Sequence, residues 1–393
     1  MTKRLGNIAL VLAGLIAGFV AVWPALYLVL VHANLSSFYQ ENIGYHFFWV
    51  LRMVDGVPSD VVIPQQGVLF SLIQAIFYLI GKALGLDLYG MIDLFALLTL
   101  AVPAVAMIAL AVAIARDEKI DAGVRAVLIA APLVISFGGP QLFTYVMYPD
   151  YLAYGKFGVF LFSWRWLHHR GSGGFASRRA AIELAVITGL LAAFKPNYVV
   201  VPAGLILWSL LAMQPERRRE AIRMAVTIGA WSFAAFAACF VLHYKGDLGR
   251  IVKFFDWLLK FSASLSSAAN DFTLHLIPPA TPAHFHDAEV TLSWLLVILA
   301  LACIAGGLLA LRPRRLSQAA PILIVAAMAA LVVKMAYVRG GGSSYYDAVV
   351  TVGVLCALVF VTFENRAIRR LATFSVATVF VVWPSAWIGA NAA

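Results

Sequence analysis

The chain has 393 residues, of which 63% are hydrophobic and 12% charged, with a formal net charge of +10. A water-soluble domain carries about 25% charged residues, so an ordinary soluble enzyme is excluded. Apolar runs of about 17 to 25 residues recur from end to end, each long enough to cross a bilayer as a helix. The expectation is an all-α polytopic membrane protein, a single integral-membrane domain over residues 1–393. Basic loops that fix topology account for the positive charge, and no nucleic-acid partner is needed.

The first apolar run, 8–31, follows "MTKR" and shows no small-residue cleavage site, so it reads as a retained anchor. The stretch "YQENIGYHFFWVLRMVDGVPSD" (39–60) comes next and holds Glu41, His46, Asp55 and Asp60. Within it Phe47, Val50, Leu51 and Val54 recur at three and four, which predicts an amphipathic helix too short to span and placed at the membrane surface. Glu41 or Asn42 stands at its start. There it caps free N–H groups, or it serves as general base or substrate anchor. "DGVPSD" then turns the chain, and "GVLFSLIQAIFYLIGKALG" (67–85) is apolar apart from Gln74 and Lys82.

Short basic connections recur at 116–125, "HHRGSGGFASRR" (168–179), "QPERRREAIR" (214–223), "RPRR" (312–315) and "ENRAIRR" (364–370). With all of them in the cytoplasm, spans fall near 8–31, 92–115, 126–146, 152–168, 179–194, 197–213, 224–243, 291–311, 317–338, 347–363 and 371–389. That makes about eleven transmembrane helices. The same parity keeps 67–85 from crossing, so it lies along the membrane or dips into it.

The unusual polar residues then gather on the outer side. They lie in a first loop (32–88), "MYPDY" (147–151), "FKPNY" (194–198), a second long loop (244–290) and "RGGGSSYYD" (339–347). Polar groups beside hydrocarbon are costly and tend to line a site. Lys195, before Pro196 and Asn197, either snorkels to the interface or meets an anionic substrate group. Arg339 followed by Gly340–Gly342 suits a phosphate oxygen, since a guanidinium forks and glycines let backbone N–H groups converge. "HFHD" (284–287), with Asp271 and His275, is too irregular to specify a metal, so neither a metal nor another cofactor is expected. Cys239, Cys303 and Cys356 lie inside apolar runs as buried fillers. "GRIVKFFDWLLKF" (249–261) reads as an interfacial helix bordering a lipid entrance.

This layout resembles the GT-C superfamily of membrane glycosyltransferases, which take sugars from polyprenyl-phosphate carriers. The resemblance rests on "ENIGYHFFWVLRMVDG…IPQQGVLFSLIQAIFYLIGKALG", on "LLAAFKPNYVVVPAGLILW" and on "RGGGSSYYDAVVTV". It implies a GT-C-like fold with amphipathic membrane-surface helices. It also implies sugar transfer from a polyprenyl-phosphate donor to a hydroxyl of a lipid, glycan or protein acceptor. The setting implied is a bacterial inner (plasma) membrane, among membrane lipids, with the site facing outward. Glu41 matches the position of the family's carboxylate, and Asp60 and Asp150 are the alternatives for that role. Arg339 stands where the family often carries a basic residue in its late outer loop, and Lys195 falls in a hairpin similar to the family's mid-chain "L-x-K-P/Q"; both are expected to contact the donor phosphate. His46, Asn197, Tyr345 and Tyr346 complete the expected substrate contacts. The chain departs from the family where Glu41-Asn42 stands for an aspartate or Asp-Glu pair, and where Tyr345-Tyr346 stands for His-Tyr. The competing classes are a lipid-linked glycan flippase or transporter, and a polysaccharide ligase or polymerase.

Overall fold

A computed structural model describes residues 44–56, 67–120, 124–125, 128–129, 151–171, 174–175, 177–211, 213 and 217–268. Over these the chain is all-α apart from one two-residue ladder. The helices are α1 (Gly44–Asp55), α2 (Val68–Ala83), α3 (Leu88–Arg116), α4 (Tyr151–His169), α5 (Arg178–Phe194), α6 (Val200–Leu211), α7 (Arg218–His243) and α8 (Leu248–Ala268). A 3-10 turn, Pro196–Val199, precedes α6. Strands β1 (Arg170–Gly171) and β2 (Gly174–Phe175) pair antiparallel. The expected spans at 8–31, most of 126–146 and everything after 268 lie outside the described residues.

Two of the described helices, α3 and α7, are long and apolar enough to cross a membrane. The helices at the other expected spans are shorter or more polar. α4 has 19 residues but carries Arg165, His168 and His169, and α5 has 17 residues. The run expected as one span at 197–213 is the 3-10 turn followed by a helix of only 12 residues. Pro196 has no N–H to continue the α5 ladder, so the chain restarts through a tighter turn.

The helices belong to two compact units. Among the described residues, the first holds 44–56, 67–120, 124–125, 128–129, 151–164, 182–198 and 227–258; the second holds those within 165–181, 199–226 and 259–268. In the first, α2 and α3 form an antiparallel hairpin. Phe77 meets Phe95, and a Cβ on Gly81 would touch Met91 and Leu94. The apolar residues of α1 apart from Phe48, which is half exposed, close over this hairpin. Phe47 and Val50 are buried against Ala75, Tyr78 and Phe95, with Leu51 and Val54 packed beside them. Phe47 sits edge-on to both Tyr78 and Phe95 at 5.6 Å. The opposite side of α2 exposes Ile76, Leu79 and Ile80. A helix that is apolar on all sides belongs where the surroundings are apolar too.

α3 also packs against α4. Pro103 lies inside α3 and cannot donate to the carbonyl of Thr99, four residues back. The hydroxyl of Tyr154 donates to that carbonyl instead, at 3.1 Å. Further along, Trp164 donates its indole N–H to Asp117 at 2.9 Å, so α3 and α4 run in the same direction. α5 is antiparallel to α4: Gly158 lies against Leu191 and Gly155 against the Tyr198 ring. α7 runs parallel to α5. Ser232 donates to the Ala185 carbonyl at 2.9 Å, and Ala193 shares a cluster with Cys239 and Phe240. The small stripe Ala185, Gly189, Ala193 permits this approach. A Cβ on Gly189 would lie 2.2 Å from the Ser232 carbonyl oxygen.

In the second unit, Trp166 donates its indole N–H to Ser209 at 2.8 Å and tilts against Trp208 at 5.3 Å. Ala180, Ala181, Val201 and Leu205 are buried in the same unit.

Candidate functional site

Four chain segments meet in the first unit at one end of α5. Gly67, the last residue before α2, has φ 94° and lies directly on the end of α5. A Cβ there would fall 1.6 Å from the Phe194 carbonyl oxygen. Both the positive φ and the contact require glycine. Phe70, in the first turn of α2, packs edge-on to Phe194 at 5.9 Å and to Tyr154 of α4 at 5.4 Å. Tyr154 stacks on Phe194. The end of α7 completes the group, with Cys239, Phe240 and Tyr244 clustered on Val68 and Ala193. The exit of the first loop, the start of α4 after "MYPDY", the "FKPNY" turn and the start of the 244–290 segment are thus brought to one place.

Lys195 sits at this junction with only 9% of its surface exposed. Its N–H extends the α5 ladder to Leu191 at 2.8 Å, and its carbonyl accepts from Tyr198 at 3.0 Å. Asn197 lies in the 3-10 turn that follows. His46 lies in the first turn of α1. Glu41, Asp60, Asp150, Arg339, Tyr345 and Tyr346 lie outside the described residues, as do Asp271, His275 and the "HFHD" run.

Asp55, one of the ionisable groups of the 39–60 stretch, has a structural partner set. Its carboxylate accepts from Lys82 at 2.7 Å and from the Tyr78 hydroxyl at 2.5 Å. The Lys82 hydrogen bond, then that of Tyr78, holds the Asp55 carboxyl below its ordinary range. Burial, then the bond to Asp55, pushes Tyr78 up to about 12. This trio ties the end of α1 to α2.

Sequence reasoning passed over His243. It ends α7 with 4% of its surface exposed, and neither ring nitrogen has a hydrogen-bond partner. Nothing in "CFVLHYKG" separates it from a histidine at a membrane boundary. The signal is its phase with Cys239 and Phe240. Gln74 and Thr99, each 1% exposed, are also buried with a side-chain atom unpartnered.

α8 bears out the helix expected at 249–261. Ile251 and Phe254 pack onto the α7 cluster, while Leu248, Val252, Phe255 and Leu259 form an exposed apolar stripe. No family model matches the chain, and neither does any curated protein or solved structure.

Proposed function

We propose that this chain is a GT-C-type glycosyltransferase that moves a sugar from a polyprenyl-phosphate carrier to an acceptor hydroxyl at the outer face of a membrane. The observation that carries the reading is the meeting of the first loop's exit, the "FKPNY" turn and the ends of α4 and α7 around buried Lys195. The first-loop exit, the start of α4 and the "FKPNY" turn adjoin residues that the resemblance assigns to donor and acceptor, namely Asp60, Asp150, Lys195 and Asn197. The helix directions support the same reading. With basic loops in the cytoplasm, α3 and α4 both descend, and α5 and α7 both rise.

The chemistry is coherent. A polyprenyl phosphate leaves readily when its charge is stabilised, which falls to Arg339 and Lys195. The acceptor hydroxyl needs a carboxylate within hydrogen-bond reach, which falls to Glu41, Asp60 or Asp150. The apolar stripes of α2 and α8 face the hydrocarbon through which the carrier's tail arrives. The competing transporter reading gains one specific observation, the buried, unpartnered side-chain atoms of Gln74 in α2 and of Thr99, four residues before Pro103 in α3. Transporters place polar groups near the midplane, though on helices that are broken there, and α3 is continuous.

The test incubates purified protein with radiolabelled polyprenyl-phosphate sugars and a membrane extract. Label moving from donor to an acceptor supports the transferase. Label crossing reconstituted vesicles without transfer supports the transporter.

A further inference from the structure

We infer that Gln74 of α2 and Thr99 of α3 form a binding site for a water molecule inside the apolar bundle. Both side chains are 1% exposed, and neither Gln74 Nε2 nor Thr99 Oγ1 has a hydrogen-bond partner. Buried amides and hydroxyls are otherwise paired, because an unmet one costs its full desolvation. Thr99 also departs from the habit of this chain. Ser163, Thr188 and Ser209, the other buried serines and threonines among the described residues, each donate to the carbonyl four residues back at 2.8 Å. Thr99 makes no such bond. Its hydroxyl is left for another group.

The packing of the helices brings the two side chains to one level. α2 and α3 run antiparallel, with Phe77 on Phe95 at 6.5 Å and Gly81 against Met91. Those two pairs fix the register. One turn back along α2 from Phe77 comes Gln74, and one turn on along α3 from Phe95 comes Thr99. The helix phases agree. At about 100° per residue, Gln74 lies within about 60° of Phe70, Phe77 and Gly81, and Thr99 within about 40° of Phe95. Tyr154 closes the level from α4. Its ring packs on Phe70 at 5.4 Å, and its hydroxyl donates to the Thr99 carbonyl at 3.1 Å. The unmet amide and the unmet hydroxyl are thus bracketed by the Phe77–Phe95 contact on one side and the Phe70–Tyr154–Thr99 contacts on the other.

The chemistry of the pair selects the ligand. An amide N–H and a hydroxyl can both donate to one oxygen, and the hydroxyl can accept in turn. Neither side chain carries a charge, so an ion would stay unbalanced there. A small neutral group that both accepts and donates fits, and water is that group. A buried water makes about three hydrogen bonds. The oxygen of Tyr154, whose proton goes to the Thr99 carbonyl, keeps lone pairs and is the third partner at this level. The site lies four residues before Pro103, in a helix long and apolar enough to cross a membrane. It holds whether the chain transfers a sugar or transports one.

The test uses the full chain in lipid nanodiscs with isotope-labelled glutamine amides. NMR reads magnetisation passing from water to each amide, and Gln74→Met identifies the Gln74 signal by its loss. The expected result is transfer from water to the Gln74 amide, although that side chain is sealed from solvent. Thr99→Val keeps the shape and removes the hydroxyl, so it should weaken the transfer several-fold. Thr99→Ser, which keeps a hydroxyl, should retain it. Melting temperatures give a second reading. With water held between them, Gln74→Met and Thr99→Val should each lower the melting temperature, and together by less than the two separate falls added. An empty site gives the opposite sign, because each change then removes an unpartnered buried group. The site is overturned if no transfer reaches Gln74, if transfer is indifferent to Thr99→Val, or if both single variants melt higher than the wild type.

Discussion

The Thr99 carbonyl shows how one residue choice sets another. Pro103 removes its helical donor, and Tyr154 supplies a replacement from α4. Tyr154→Phe should then leave a carbonyl unmet inside an apolar bundle, at a cost of about 1 kcal/mol or more. In a Pro103→Ala background the restored backbone N–H donates to the Thr99 carbonyl itself, so the same change should cost measurably less. A double-mutant cycle of detergent melts reads the coupling; additive effects would mean the hydroxyl is not the replacement donor. Asp55 makes a second residue-scale prediction. Its depressed carboxyl contributes stability above the ordinary carboxylate pKa, near 4, and loses it as pH falls through the lower folded value. Tyr78, raised from 10.0 to about 12, contributes stability below pH 10 that fades as pH climbs toward 12. The attachment of α1 should be flat between those limits. Lys82 is more than half exposed, so Asp55→Asn should cost only about 0.2–1 kcal/mol while abolishing the acid limb. Melts of wild type and variant from pH 3 to 7 test it, and an unchanged acid limb would assign that limb elsewhere.

At the scale of elements, contact between α5 and α7 depends on residues too small to hold the helices apart. Gly189→Leu drives a side chain into the Ser232 carbonyl. It should cost about 1–3 kcal/mol or more, read as a fall in melting temperature. A neutral result would mean the two helices separate without penalty. The helices themselves were legible in sequence, because apolar periodicity and the punctuation by Gly67, Pro196 and basic loops mark them directly. Their partners were not. The Phe47–Val50–Val54 stripe suits a membrane surface and the α2–α3 hairpin equally well, and only the structure shows that the hairpin takes it. Asp55 looked like part of a polar site because its partner Lys82 is 27 residues away. The burial of Lys195 and His243 was hidden for a related reason: at the end of an apolar run, a snorkelling residue and a buried one read alike. The candidate site was legible as a set of loops, whereas its members inside the helix ends were not.

For the whole molecule, the basic loops and the helix directions together make a strong claim about sidedness. If α5 and α7 rise toward the outer face, the ends gathered around Lys195 are outer ends, and Glu41 and Arg339 belong on that side with them. With Cys239, Cys303 and Cys356 replaced by alanine, single cysteines at positions 41 and 339 should react with a membrane-impermeant maleimide added outside. A cysteine at 172, in the basic connection after α4, should not. Opposite sidedness for 41 and 339 would sink topology and site together. The catalytic prediction builds on that arrangement. Glu41 precedes α1, and α1 is fixed to the α2–α3 hairpin by Phe47, Val50 and the Asp55 trio. The hairpin in turn begins at Gly67 on the end of α5. Glu41→Gln keeps the shape and removes the base, so sugar transfer should fall by roughly 10²- to 10⁴-fold. Donor binding should persist, because the proposed mechanism gives the phosphate to Arg339 and Lys195. Asp60→Asn and Asp150→Asn, assayed alongside, should retain most of the rate. If Glu41→Gln transfers normally and one of the others is dead, the base is that residue. If all three transfer normally, no carboxylate of this set takes the acceptor's proton, and the transferase loses its mechanism.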